Sequence, residues 1–473
     1  MNPVVQVALM SLVLTAAVLS GTAAAGSQPK NSPPNIVVIM ADDLGYGDVG
    51  CYGGRAKTPH INQLAARGMR FTDYHSNGSV CSPTRAALMT GRYPQRLGIE
   101  VPLPTDWTDR GISAPDNRDE RTVATQLRAA GYATGIFGKW HLGKHPDSNP
   151  VHHGFDIFRG LTCGCGDYFS HLDREGHADW WHNTQQVSEQ GYTTEVLTEH
   201  AVQFIREHKD QPFFLYVPHL AIHFPWQAPE DRMLGVRKPG VDFSSSEPGP
   251  QSKLGPHSPE EIPSVVIRMI ESLDQSVGRI CETLRQQGLA ENTLVVFTSD
   301  NGGYLGYGDS YRHGVSSNGV LRGQKGDVYE GGHRVPLILE WPGRIEPGTV
   351  ATQTVLTMDL SPTFLDIAGI RHPDSQSRIP FDGRSMLPLS SVSNSDSERT
   401  LFWRHGGIRG KKAVRRGPWK LVIPTPGATP ELYQLESDIS ETRSVADDHP
   451  EVAATLLSAL SEWERSLLHN PKP

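Results

Sequence analysis

Short apolar runs alternate with amphipathic stretches along most of the chain. Asn35 to Met40 is apolar after its first residue, the mark of a strand covered on both faces. Similar runs at Thr134–Phe137, Pro212–Val217, Thr293–Ser299 and Pro336–Glu340 predict further strands. Between them the apolar positions return at helical spacing. Pro59–Met69 puts Ile61, Leu64, Ala65 and Met69 on one face, and Thr84–Thr90, Thr122–Ala130 and Thr194–His208 predict three more helices. The clearest, Ser264–Gln287, aligns Val266, Ile270, Leu273, Val277, Ile280 and Leu284 and stops at Gly288. Strands alternating with helices predict an α/β fold: a large, mainly parallel sheet flanked by helices.

The pattern changes towards the end of the chain. Residues 236–263 and 389–399 are rich in Pro, Ser and Gly and read as loops or linkers. Beyond them Leu401–Trp403, Lys412–Val414, Trp419–Ile423 and Glu431–Leu435 predict short antiparallel strands, and Pro450–Leu467 a last helix. The expected division is a catalytic domain at 33–395 and a small antiparallel-sheet-plus-helix subdomain at 396–473. At the other end, the apolar stretch Val4–Val18, with Ala23 and Ala25 in an Ala-x-Ala pattern, predicts a signal peptide over residues 1–25. An exported protein, periplasmic or extracellular (lysosomal in a eukaryote), follows. No later run reaches the ~20 apolar residues that cross a bilayer, so no membrane span is expected.

Charge narrows the partners. Lys and Arg number 44 against 52 Asp and Glu, a net charge of −8, which argues against nucleic acid. Five cysteines leave at least one without an intrachain partner. Cys281 lies on a helical apolar stripe, whereas Cys51, Cys163 and Cys165 sit in Gly-rich loops where one disulfide is open to them.

In a parallel sheet, ligands bind beyond the carboxyl ends of the strands. Four predicted strands deliver polar groups there: Asp42 and Asp43, Lys139 and His141, His219 and His223, Asp300 and Asn301. Three carboxylates and an amide are oxygen donors, which suit a hard cation such as Ca²⁺. Cys81-Ser-Pro-Thr-Arg85 precedes a helical pattern, with Pro83 suited to its first turn. Cys81 therefore falls at a helix N-terminus, where backbone N–H groups favour an anion.

Asp42-Asp-Leu-Gly-Tyr-Gly-Asp48, Cys81-Ser-Pro-Thr-Arg85 with Thr90-Gly-Arg92, Gly138-Lys-Trp-His-Leu-Gly143, Asp300-Asn-Gly-Gly303 and Lys325-Gly-Asp-Val-Tyr-Glu-Gly-Gly332 resemble the type I sulfatases of the alkaline-phosphatase-like superfamily. The blocks occur in that family's order from about residue 33 to the C-terminal subdomain. The resemblance implies hydrolysis of sulfate monoesters with Ca²⁺ and a formylglycine made from Cys81 by a formylglycine-generating enzyme. It implies Asp42, Asp43, Asp300, Asn301 and the modified Cys81 as metal ligands. Arg85 would hold the formylglycine hydrate, Lys139 and Lys325 the sulfate oxygens. His141 would assist release, and His223, favoured over His219 because Pro225 follows it by two, would face the leaving oxygen.

The insertion containing Cys163-Gly-Cys-Gly-Asp-Tyr168 and Asp179-Trp-Trp-His182 is similar to that of sulfatases acting on galactose or N-acetylgalactosamine sulfates. A sulfated carbohydrate is the substrate implied, with His153, Asp167, Trp180 and His405 as candidate sugar contacts. Two rivals stand beside this reading: a phosphodiesterase or phosphonate monoester hydrolase of the same superfamily, and a non-catalytic sulfated-glycan binder carrying an unmodified Cys81. Asn77-Gly-Ser79 is a glycosylation sequon beside Cys81 and is expected to be unmodified.

Overall fold

The computed structural model describes residues 32–104, 111–112, 122–233, 255–306, 314–370, 380–389 and 399–468. The expected signal peptide lies outside these residues, as do most of the 389–399 linker and the greater part of 236–263.

In chain order the strands are β1 (Asn35–Ala41), β2 (Met69–Phe71), β3 (Tyr74–His75), β4 (Ala133–Lys139), β5 (Ile157–Leu161), β6 (Trp181–His182), β7 (Gln185–Gln186) and β8 (Phe213–Pro218). They continue with β9 (Thr293–Ser299), β10 (Leu337–Glu340), β11 (Thr349–Ala351), β12 (Val355–Leu356), β13 (Thr400–His405), β14 (Lys411–Arg416), β15 (Trp419–Ile423) and β16 (Glu431–Gln434). Ten of them form one sheet in the order β11-β2-β10-β9-β1-β8-β4-β5-β6-β7. Its centre, β9-β1-β8-β4-β5, is parallel throughout. β10 runs antiparallel to β9 and β2.

Helices cover both faces, which is why the central strands read as unbroken apolar runs. Val37, Ile39, Phe213, Leu215, Val295 and Phe297 pack under α1 (Pro59–Arg67), α4 (Thr193–Glu207) and α5 (Ile262–Gln286). Their neighbours Ile36, Val38, Met40, Phe214, Tyr216, Leu294 and Val296 face α2 (Cys81–Thr90), α3 (Val123–Ala129) and α7 (Leu360–Ile367). One expectation fails here. Met69 does not extend the stripe of α1; the helix ends at Arg67 and Met69 opens β2, paired with Leu339 and Thr349.

β13 to β16 form a separate antiparallel sheet in sequence order, against which Leu456, Leu460 and Trp463 of α8 (Pro450–Leu468) pack. This sheet shares a core with Ala87 and Tyr93 of the α2 region. The join is also polar. Arg415 reaches both carboxylate oxygens of Asp73 at 2.8 Å, and Arg334 lies 3.3 Å from the same group. The Lys420 ammonium is buried between Glu330 Oε1 (2.8 Å), Glu441 Oε1 (2.9 Å) and His333 Nε2 (3.2 Å). Glu330 and His333 bound α6 (Glu330–His333), which closes the loop carrying Lys325. A side-chain cation thus lies against Glu330 and His333, which with His75 form a group that could hold a metal ion.

Candidate active site

Parallel pairing puts the carboxyl ends of β9, β1, β8 and β4 side by side. Asp300 and Asn301 follow β9, Asp42 and Asp43 follow β1, His223 lies five residues past the end of β8, and Lys139 is the last residue of β4. Gly138 (φ 143°) precedes Lys139, and a Cβ there would sit 1.9 Å from the Pro218 carbonyl oxygen of β8. Only glycine lets the two strands approach so closely. Asp43 (φ 62°) and His141 (φ 54°) adopt the left-handed conformation without being glycine, a backbone strain typical of functional sites.

Cys81 is the first residue of α2, and all ten residues of that helix are buried. Arg85, one turn on, sends Nε and Nη2 to Asp300 Oδ2 (3.0 and 2.7 Å) and Nη1 to the Lys139 carbonyl (2.7 Å). Lys139 Nζ pairs with Asp42 Oδ2 at 2.5 Å. Lys325 Nζ lies 2.6 Å from Asp43 Oδ1 and 3.5 Å from Cys81 Sγ, which is itself 3.6 Å from Asp42 Oδ1. Asn301 donates Nδ2 to Asp43 Oδ1 at 2.8 Å, while its Oδ1 is buried without a partner.

Three carboxylates meet three cations in a water-poor cluster. Burial and the neighbouring Asp300 push the Asp42 carboxyl up to about 7 despite Lys139. Asp43 goes the other way: Lys325, His223 and Lys139 outweigh its burial and hold it below the ordinary range. The Cys81 thiol is pushed up to about 12 by burial and by Asp42. Ligand atoms of Asp42, Asp43, Cys81 and His223 all lie within 4.8 Å of one another. The donor set fits a hard divalent cation. Hard oxygens dominate it, and the Asn301 Oδ1 is a buried acceptor without a hydrogen-bond partner.

His141 Nε2 lies 3.0 Å from the Leu103 carbonyl, so Nε2 carries the proton and Nδ1, buried and unpartnered, is left as a base. Gly164 lies against this ring; a Cβ there would meet the imidazole at 2.5 Å. His223 donates Nδ1–H to the Phe224 carbonyl (2.7 Å) and turns Nε2 towards Asp43 Oδ2 at 3.8 Å. Burial, with Lys139 beside His141 and Lys325 beside His223, lowers the basicity of both rings. His219 is directed elsewhere, its Nε2 bonded to Ser276 Oγ at 2.9 Å.

The Sulfatase family model matches residues 34–370. The chain belongs to the sulfatase family. A second family model, N-sulphoglucosamine sulphohydrolase, C-terminal, matches residues 324–466. Arylsulfatase A of Bos taurus is 33% identical over 95% of this chain and 90% of its own length. N-acetylgalactosamine-6-sulfatase of Canis lupus familiaris is 34% identical over 86% and 74%. The solved structure of Ps i-CgsB in complex with k-i-k-neocarrahexaose has a TM-score of 0.77 at 30% identity, covering 93% of this chain and 94% of that one. A phosphonate monoester hydrolase of Agrobacterium radiobacter, 20% identical with a TM-score of 0.62, shares the fold. The sulfatase is therefore a sulfuric ester hydrolase with a mixed, mainly parallel sheet and a small antiparallel C-terminal sheet.

Other expectations meet the sulfatase structure unevenly. None of its five cysteines is in a disulfide in this structure, and Cys163 Sγ donates to the Cys165 carbonyl at 2.9 Å. Asn77 is wholly buried and accepts from the Met358 N–H, which leaves no glycosylation target. His153 (1% exposed) packs beside Trp140, and Trp180 (2%) stacks on His171 and donates to Glu189. Asp167 is fully buried, accepting from Phe169, Ser170 and Gln227. These three present no surface to a sugar. His405 is half-buried at the end of β13, paired in register with Lys411, whose Nζ holds Gly326 O and Asp327 beside Lys325. The Leu103 carbonyl that fixes the His141 tautomer carries no sequence signature, being backbone. Two cavities of about 510 and 610 Å³ lie away from the cluster, one lined by Asp73, Arg334 and Arg415, the other by Glu199, Glu271 and Arg279.

Proposed function

We propose that this sulfatase is an exported, calcium-dependent carbohydrate sulfatase whose nucleophile is the hydrate of a formylglycine made from Cys81. The observation that carries this is the place of Cys81, first in α2, with Asp42 Oδ1 3.6 Å and Lys325 Nζ 3.5 Å from its sulfur and with Asp43 and His223 in the same cluster. A soft thiol, its pKa here raised further by burial and by Asp42, is a poor ligand for a hard cation. Yet it sits at the helix N-terminus, between Lys325 and Asp42, with three cationic side chains converging on it. Replacing sulfur by aldehyde oxygen, through the oxidising enzyme that matures it, resolves the contradiction. Hydration gives two hydroxyls on one carbon.

Asp42, Asp43, Asp300, Asn301 and the modified residue would hold the calcium ion, which supplies fixed positive charge against developing negative charge. Arg85, Lys139 and Lys325 are the side-chain cations in reach of an anionic ester. One hydroxyl of the hydrate would give its proton to the Asp42 carboxylate, whose Oδ1 lies 3.6 Å from the Cys81 sulfur that the hydroxyl replaces, and attack sulfur while the sulfur–oxygen bond to the alcohol breaks. His223, a weak base here because of burial and Lys325, would take up a proton when the anionic ester sits beside it. It would give that proton from Nε2 to the leaving oxygen, its Nδ1–H being held by the Phe224 carbonyl. The second hydroxyl then yields its proton to His141 Nδ1, the carbonyl re-forms, and sulfate departs. Release is therefore built into the nucleophile.

The carbohydrate assignment draws on the N-acetylgalactosamine-6-sulfatase and neocarrahexaose-bound relatives, and export on the N-terminal apolar stretch. The catalytic unit would span 33–395 and the appended subdomain 396–473. Peptide mass spectrometry around Cys81 in active protein tests the proposal. Loss of the thiol sulfur with gain of an aldehyde is expected; a fully alkylatable cysteine in protein that turns over sulfate esters would end it.

A further inference from the structure

We infer that Ser82 is a positioning residue for the release of sulfate, acting on His141 through Leu103. The inference rests on the proposed reading, in which His141 takes a proton from the formylglycine hydrate. Ser82 directly follows Cys81 in α2 and is wholly buried. Its Oγ accepts the Leu103 N–H at 2.9 Å, and the Leu103 carbonyl accepts from His141 Nε2 at 3.0 Å. One residue thus joins the helix that carries the nucleophile to the ring that serves it.

Its neighbours make that residue a stiff link. Leu103 stands between Pro102 and Pro104. Proline has no N–H and a fixed φ, and the residue before a proline is held extended. Of the three residues only Leu103 can donate from its backbone, and that donor goes to Ser82. The Leu103 side chain packs on the core that contains Ala86 and Leu88 of α2. Helix and link are therefore fixed to each other twice, by a hydrogen bond and by apolar contact.

Release depends on this arrangement. As the second hydroxyl gives its proton to His141 Nδ1, the carbonyl re-forms and the carbon–oxygen bond to sulfate breaks, its electron pair leaving with sulfate. Nδ1 can accept that proton only while the ring's other proton sits on Nε2, where the Leu103 carbonyl holds it. Attack on sulfur, the earlier half-reaction, does not use His141. Ser82 therefore acts on the second half-reaction and leaves the first alone.

The test uses nitrophenyl sulfate (or another aryl sulfate that the wild type hydrolyses), whose good leaving group makes release limiting. Ser82→Ala removes the acceptor but keeps Cys81, Pro83 and Arg85. Losing an outer hydrogen-bond partner should lower kcat about 10–100-fold. Because kcat/KM stops at cleavage of the aryl ester, KM should fall by the same factor, after a burst of nitrophenol. KM does not depend on how much of a preparation is folded or matured, so it is the deciding readout. Pro102→Gly/Pro104→Gly, at two exposed positions, loosens the link without touching the core and should also lower KM. An unchanged or higher KM in both variants would overturn the inference. Peptide mass spectrometry showing unconverted Cys81 in active wild type would instead overturn the reading beneath it.

Discussion

Lys420→Met is the most informative single perturbation of the join between the two sheets. Methionine preserves the length and much of the volume of lysine but removes the charge. In the native protein the ammonium is fully buried and bonds Glu330, Glu441 and His333. Removing it leaves two buried carboxylates with Arg334, 3.0 Å from Glu330, as the remaining cation. Breaking a buried ion pair from one side costs about 3–5 kcal/mol. The cost should depend on pH. Burial already pushes Glu441 up to about 7 against the pull of Lys420. Between the unfolded value of 4.5 and 7 the folded state therefore keeps a proton that the unfolded state releases, and stability falls as pH rises. Without Lys420 the folded value climbs further, so the loss continues above pH 7. Urea unfolding at pH 6 and pH 8.5 should show a larger destabilisation at the higher pH, and Lys420→Met/Glu441→Gln should recover much of it. A loss below about 1 kcal/mol that is the same at both pH values would refute this account of the buried cluster.

Three further outcomes are expected. His223→Ala should lower kcat about 10²–10⁴-fold on alkyl sulfates and far less on a nitrophenyl sulfate, whose leaving group needs no proton; equal losses on both would remove His223 from the leaving oxygen. Calcium added to chelated Cys81→Ala protein should stabilise it, by about 2.7 kcal/mol at a hundred times Kd, and Asp300→Ala should abolish the response; a calcium-insensitive midpoint in Cys81→Ala would argue against the site. Asp73 is buried, yet Arg415 and Arg334 hold its carboxyl well below the ordinary range. A depressed carboxyl stabilises the folded state above its unfolded value of 3.8 and loses that effect as pH falls below it. Arg415→Ala should cost about 3–5 kcal/mol at pH 7 and blunt the loss of stability in acid, read from urea midpoints between pH 7 and 3.

The central sheet was legible because both of its faces are covered, which turns β1, β8 and β9 into apolar runs that cannot be mistaken for surface. The cluster was legible for a related reason: parallel strands must end on one edge, so polar residues directly after each run converge. Arg85 and Lys325 needed the resemblance, because nothing in their own spacing points to β9 or β1. Met69 was misplaced because helical spacing continues through Gly68 by coincidence, and only the pairing with β10 and β11 shows the chain already extended. The tryptophans of the insertion illustrate another limit. Neighbouring side chains point opposite ways, so Trp180 is interior while Trp181 is half-exposed, and composition cannot tell them apart. Lys420 and Glu330 lie 90 residues apart with no periodicity to relate them, so their ion pair was invisible before the fold.

The enclosure of α2 sets a deadline. Cys81 is 1% exposed in a helix with no exposed residue, and the second sheet shares the core behind it. A maturation enzyme cannot grip several residues of backbone that are locked inside a finished protein. Under the proposed maturation its opportunity closes when α2 docks, so a chain that folds too soon would keep its sulfur: correctly shaped and inert. On that reading, quick folding is a hazard that conversion has to outrun.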